Sequence, residues 1–122
     1  MKKLTLLFIT MILLSACMGK IRNIKLSAED VIFTSEASSY IVSSDVEINI
    51  VSVNEDNSSF YVIPSDKSNL KYVGNWITVT NNGNSILIEV TENTSGKTRT
   101  ASICLMGKSD ANRAGDIKVT QY

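Results

Sequence analysis

The sequence has no histidine. That excludes Ser–His and Cys–His nucleophile pairs, histidine general bases and histidine metal sites. It has one proline, Pro64, one tryptophan, Trp76, and two cysteines, Cys17 and Cys104. Basic residues are not in excess: 12 stand against 12 acidic ones. A phosphate-backbone footprint, and with it a nucleic-acid partner, is not expected. No Gly-rich phosphate loop, Gly-x-Ser-x-Gly elbow or Cys-x-x-Cys pair occurs. No stretch of ten residues carries apolar positions at helical spacing. With 122 residues, one domain is expected.

What is present begins with the N-terminus. Met1-Lys2-Lys3 is a short positive segment, and Leu4 to Leu14 is an apolar run broken only by Thr5 and Thr10. Such a run is too short for a ~20-residue membrane span, and its flanks fit a secretory signal. It closes on Leu14-Ser15-Ala16-Cys17, which resembles the lipobox of bacterial lipoproteins. The resemblance implies cleavage before Cys17 and lipidation of its thiol and new amino group by acyl chains such as palmitate. The alternative is an ordinary signal peptide cut at or just after Ala16. The reading is therefore a signal peptide over residues 1–16, a lipidated tether over 17–23 and a folded domain over 24–122. Without the leader the chain has 10 basic and 12 acidic residues, a net charge of −2. Surface-exported lipoproteins of Bacteroidetes-type bacteria often carry acidic residues just after the lipidated cysteine. Lys20 and Arg22 stand there instead, so the side of the envelope that the domain faces stays open.

The remainder reads as all-β. From Cys17 onward there are 10 Val and 12 Ile but only 4 Leu. Branched side chains suit a pleated surface and lose rotamer freedom in a helix. Period-2 alternation predicts inward sets: Ile77 and Val79; Ile86, Ile88 and Val90; Ala101, Ile103 and Leu105; Ile117 and Val119. Val46, Ile48 and Ile50 alternate too, but the pattern then shifts to Val51 and Val53. Such a face switch predicts a bulge or a crossing between sheets. Cys104 lies on one of these strands as a small packing residue.

Turn signals separate the runs. Asn81-Asn82-Gly83-Asn84 predicts a tight hairpin with positive φ angles. Asn54 to Ser59, Ser65 to Asn69, Thr94 to Lys97 and Gly107 to Gly115 are expected loops, and Pro64 is expected at a strand end. The expected fold is an immunoglobulin-like two-sheet antiparallel β-sandwich of seven to eight strands.

The C-terminal half carries a second resemblance. Trp76-Ile77-Thr78-Val79, Ile86 to Asn93, Thr98-Arg99-Thr100-Ala101-Ser102-Ile103 and Ile117-Lys118-Val119-Thr120-Gln121 together resemble the BACON domain. That is a Bacteroidetes-associated module named for a proposed carbohydrate-binding role. The resemblance covers residues 76–122 and implies an immunoglobulin-like sandwich.

As fold determinants, Trp76 is expected to plug the sandwich, Asn93 to take a left-handed turn conformation and Gln121 to bond backbone at a sheet edge. Arg99 is expected to pair Glu92 or Glu89, or to cap loop carbonyls. As a binding site, sugar recognition needs flat aromatic faces with polar groups around them. Tyr61, Tyr72 and Trp76, with Asn69 and Asn75, are the candidate ligand residues. Glu55-Asp56 matches no calcium-coordinating loop; no metal or cofactor is expected. A glycosidase would need two carboxylates across a cleft, and a sandwich this small offers little cleft. Two function classes stay open: a lipid-anchored, non-catalytic envelope module that binds glycans, and a structural or protein-interaction lipoprotein, such as an accessory subunit of an envelope assembly. The outer membrane is the expected site of the anchor.

Overall fold

The structure, a computed structural model, describes residues 22–56 and 71–122, with the backbone of 58–61. The leader, Cys17, Pro64 and the expected loop at Ser65 to Asn69 lie outside the described residues. Among the described residues there are ten strands and no helix. The strands are β1 (Arg22–Asn23), β2 (Asp30–Phe33), β3 (Ser38–Ser43), β4 (Ile48–Glu55), β5 (Ser58–Tyr61), β6 (Lys71–Val73), β7 (Ile77–Asn81), β8 (Ser85–Val90), β9 (Arg99–Gly107) and β10 (Arg113–Gln121).

They form two sheets. One runs β1-β10-β9-β4-β5, with β2 also on β10; the other runs β3-β8-β7-β6. β1 and β2 both lie parallel to β10, β1 against Arg113 and Ala114, β2 against Lys118 to Gln121. All other pairings are antiparallel. This is the layout of an immunoglobulin-like sandwich, in which a short N-terminal strand joins the last strand in parallel and consecutive strands change sheets. The expected fold class is therefore right, with one correction: the first sheet is mixed. The expected strand count also rises, because the first edge is split into two short pieces. β1 falls within the stretch read as tether, so the sheet begins at Arg22 rather than at Ile24.

The alternating sets point inward as expected. Ile86, Ile88, Ile103, Ile117 and Val119 are completely buried, and Val90 and Leu105 nearly so. Facing them are Ile48, Ile50, Val53, Val42, Ile77, Val79 and Phe33. The core is thus mostly branched aliphatic. In β4 the register against β9 slips between Ile50 and Ser52. Val51 is the extra residue and faces solvent, while Val53 returns to the core. The expected bulge is present, but only Val53 of the second pair turns inward.

Two turns differ from expectation. Asn54 to Ser59 is not a loop: β4 runs to Glu55 and β5 starts at Ser58. The chain reverses at Asp56, which takes the left-handed region at φ 46°, a conformation that aspartate tolerates better than most residues. At the β7–β8 hairpin only Gly83 has positive φ, at 97°. The link holds because Asn81 is buried and clamps it. Its Nδ2 donates to the Ile48 carbonyl at 2.7 Å, and its Oδ1 accepts from Gly83 N at 2.9 Å. The link over Gly107 to Gly115 is also shorter than expected, because β10 begins at Arg113. Arg113 is held there by Asp45, at 2.7 Å, which keeps the Asp45 carboxyl below its ordinary range.

Candidate functional site

The strands place Glu55 at the end of β4, Arg99 at the start of β9 and Gln121 at the end of β10. From the other sheet come Trp76, just before β7, and Thr91, just after β8. All five meet at one end of the sandwich. Trp76 is only 5% exposed. Its Nε1 donates to Asp56 Oδ2 at 3.1 Å, and the Arg99 guanidinium lies 4.7 Å from its ring centroid. Arg99 Nε donates to Gln121 Oε1 at 2.9 Å. Its terminal nitrogen donates to the Thr91 and Glu92 carbonyls at 3.0 and 3.3 Å. Gln121 is completely buried, and its Nε2 donates to the Thr91 carbonyl at 2.8 Å and the Glu36 carbonyl at 3.4 Å. Thr91 N donates to the Trp76 carbonyl at 3.0 Å, closing the circuit. The result is a cation-on-indole stack whose Arg99 and Gln121, from the first sheet, are bonded to carbonyls of the links beside β8 and β3 of the second.

Glu55 anchors the same corner from below. It is 2% exposed and accepts from the backbone N–H groups of Asn75 and Trp76 at 3.2 and 3.4 Å. Asp56 accepts from Thr100 N at 3.0 Å as well as from the indole. Both carboxylates are committed to structure. Gly74 makes this possible, since a Cβ there would collide with the Glu55 carboxylate and the Tyr72 ring. Gly74→Ala is expected to lower stability by about 1–3 kcal/mol, read as a lower denaturant midpoint. A wild-type midpoint in that variant would show that the corner is looser than described.

The candidate ligand residues are only partly brought together. Trp76, Tyr72 and Asn75 do converge on Glu55, but Trp76 is closed on one face by Arg99 and buried. As it stands the indole offers no ring face to a sugar. Tyr72 is half-buried against the core, and burial first, Glu55 second, pushes its phenol above the usual range. Asn75 is exposed. Tyr61 is placed by its backbone, opposite Ser52 in the β4–β5 ladder, and Asn69 lies outside the described residues.

The other matched residues need correction. Asn93 is not left-handed; among the described residues only Asp56 and two glycines have positive φ. Instead its buried side chain donates to the Lys97 carbonyl at 2.8 Å and accepts from Ser95 N at 3.1 Å, shaping the link from β8 to β9. Of the two expectations for Arg99, the carbonyl cap is the one formed. Gln121 does bond backbone, but inside the molecule, because β2 covers the outer side of β10. Cys104 is half-buried between Ser52 and Asp116 of the neighbouring strands, and its thiol is raised mainly by burial, which makes it a poor nucleophile.

An open cleft that the sequence reading missed lies beside the stack. It measures about 510 Å³ and is lined by Ser35, Asn93, Thr94, Gly96, Lys97, Thr98 and Tyr122. Tyr122 is 61% exposed and is tied in place by its N–H to the Phe33 carbonyl at 3.2 Å. Asn93 N donates to the Ser35 carbonyl at 2.7 Å, joining the two walls. The lining combines one exposed aromatic residue with hydroxyls and an ammonium, the Asn93 amide being spent on Lys97 and Ser95.

Comparison with known proteins bears on this geometry. The model of the BACON family, described as "Putative binding domain, N-terminal", matches residues 61–122, just over half of the chain. The chain belongs to the BACON family. The matched region contains Trp76, Asn93, Arg99 and Gln121, so the stack sits inside it. No curated protein matches the chain. Among solved structures, it is similar to a Bacteroides thetaiotaomicron protein determined by NMR, at 18% identity and a TM-score of 0.66, covering 84% of this chain and 89% of that one. It is also similar to part of a Bacteroides ovatus GH5 xyloglucanase solved with a XXXG heptasaccharide, at 14% identity and a TM-score of 0.50. That match covers 80% of this chain but 18% of the other. At these identities the likeness is one of fold. For a BACON chain, the stack accounts for the lone tryptophan as a clamp between sheets.

Proposed function

We propose that this BACON chain is a non-catalytic binding module held at the bacterial envelope by lipid on Cys17, with glycans as its ligand class. The observation that carries the glycan reading is the cleft under Tyr122. Sugars are recognised by an aromatic face that covers their C–H surface and by polar groups that reach their hydroxyls. Tyr122 supplies the first; Lys97, Thr94, Thr98 and Ser35 supply the second. Family membership as a binding domain supports the reading, as does the shared fold with part of an enzyme solved with a heptasaccharide. The anchor reading rests on the Leu14-Ser15-Ala16-Cys17 tetrad, and the outer membrane is its proposed location.

A glycan array followed by titration of the best ligand tests the reading. Tyr122→Ala is expected to weaken binding by about 1–3 kcal/mol, by analogy with base–aromatic stacking, while leaving thermal stability near wild type. Failure of every glycan tested to bind the wild-type chain would end the glycan reading.

A further inference from the structure

The sandwich has open edges, and most carry a charge. β1 has Arg22, β2 has Asp30 and β6 has Lys71. Charges of this kind discourage edge-to-edge pairing. β3 is different. It is the edge of its sheet, and its six residues, Ser38-Ser39-Tyr40-Ile41-Val42-Ser43, are all neutral. Tyr40 and Ile41 are 45% and 58% exposed.

Hydrogen bonding shows which groups on this edge are open. Ser43 turns its carbonyl away from β8 to accept from Ser27 N at 2.9 Å, while Ser44 N turns the other way, to Asn84 O at 2.8 Å. Backbone groups alternate in direction along a strand. Ser39 and Ile41 therefore aim their N–H and C=O groups outward, and Tyr40 aims its own at β8. Residues 25–27 cover the edge at Ser43 through Asp45. Two donors and two acceptors remain, arranged symmetrically about Tyr40.

We infer that β3 is a homodimerisation edge and that its occupant is β3 of a second copy. An antiparallel copy related by a two-fold axis through Tyr40 places Ser39 against Ile41 of the other chain, and Ile41 against Ser39. Those two residues then exchange both backbone bonds at each crossing, so all four open groups are satisfied. Tyr40 meets its own counterpart as a non-hydrogen-bonded pair, the closer kind of cross-strand pair, within ring contact. The neutral strand brings no like charges face to face across the axis. The chain bends at Ser35 and Glu36, before β3 starts, so the incoming copy turns away where residues 25–27 occupy the edge. The contact is isologous and closed, and it joins two four-stranded sheets into one of eight.

Disulfide trapping in the full-length, membrane-associated protein tests this directly. Cα atoms of a non-hydrogen-bonded pair lie about 4.5 Å apart, within disulfide reach. In a Cys104→Ser background, Tyr40→Cys is expected to give a covalent dimer under mild oxidation. The same background with no added cysteine, or with Val73→Cys on the far edge, is expected to give none. Sedimentation of the full chain in detergent supplies the second measurement. Ile41→Pro deletes an outward N–H that β8 does not use, so the fold is retained. Two of the four inter-chain bonds are lost, and the dimer dissociation constant is expected to rise roughly 5- to 100-fold. Ile41→Lys puts like charges near the axis and is expected to do the same. The proposal is overturned if Tyr40→Cys yields no covalent dimer, or if it links to a different protein instead. It is equally overturned if the wild type stays monomeric up to about 1 mM.

Discussion

Replacing Trp76 by alanine is expected to cost about 3–5 kcal/mol of folding stability. Small domains hold only ~5–15 kcal/mol in total, so the variant will be near its unfolding threshold at physiological temperature. Three losses add up. The ring is 5% exposed, and its removal leaves a void where the two sheets meet. Asp56, which turns the β4–β5 hairpin at φ 46°, loses the indole N–H at 3.1 Å. Arg99 loses the ring beneath it and keeps only Gln121 and the carbonyls of Thr91 and Glu92. Arg99→Lys separates these contributions. Lysine keeps a cation over the ring but cannot fork between Gln121 and the loop carbonyls, so it is expected to cost less than Trp76→Ala. Denaturant titration of both variants reads the difference. A Trp76→Ala cost below about 1 kcal/mol would mean that the stack does not hold the sheets together.

The sequence made the strands of the second half legible because each buries one face only. Strict alternation then marks the inward set, and Ile86, Ile88, Val90, Ile103, Leu105, Ile117 and Val119 are inside as read. The bulge in β4 was legible for the same reason, since a register slip must show as a face switch. β1 and β2 were not legible. They have two and four residues, too few for a period to declare itself, and their parallel pairing with β10 is a property of distant chain segments. The Asn54 to Ser59 stretch misled because polar residues in an exposed hairpin look like a loop.

The corner around Trp76 was read residue by residue and its meaning was missed. Trp76, Arg99 and Gln121 were each assigned a structural role, but nothing in their spacing says that they stack on one another. The cleft beside them was invisible for a similar reason. Tyr122, Ser35 and the run from Asn93 to Thr98 meet only because β2 closes along β10 and the β8–β9 link crosses between sheets. An aromatic residue next to the buried Gln121 was the available signal: alternation alone places Tyr122 outside.

Cys17→Ser is expected either to release this chain from membranes or to stall its processing, because Cys17 is the proposed lipid site. Each buried methylene of an acyl chain contributes about 0.8 kcal/mol, so two or three long chains on Cys17 would be enough to hold the protein at a membrane. Serine has no thiol to take the thioether-linked lipid, and the proposed signal ending at Ala16 is then expected either to stall uncleaved or to be cut by a general signal peptidase. The two fates separate on a gel: the stalled form keeps its leader and stays with membranes, the cleaved form is smaller and appears in the soluble fraction. Wild type is expected in the membrane fraction, to incorporate labelled palmitate and to migrate as a lipidated species; Cys17→Ser is expected to lose the label entirely. Cys104→Ser, which removes the other thiol from the middle of β9, is expected to keep it. A Cys17→Ser protein that is processed and fractionates with membranes like wild type would sink the anchor reading and leave the leader as an ordinary secretory signal. The folded domain would be unaffected in either case, because its first sheet contact begins at Arg22, five residues beyond the proposed lipid site.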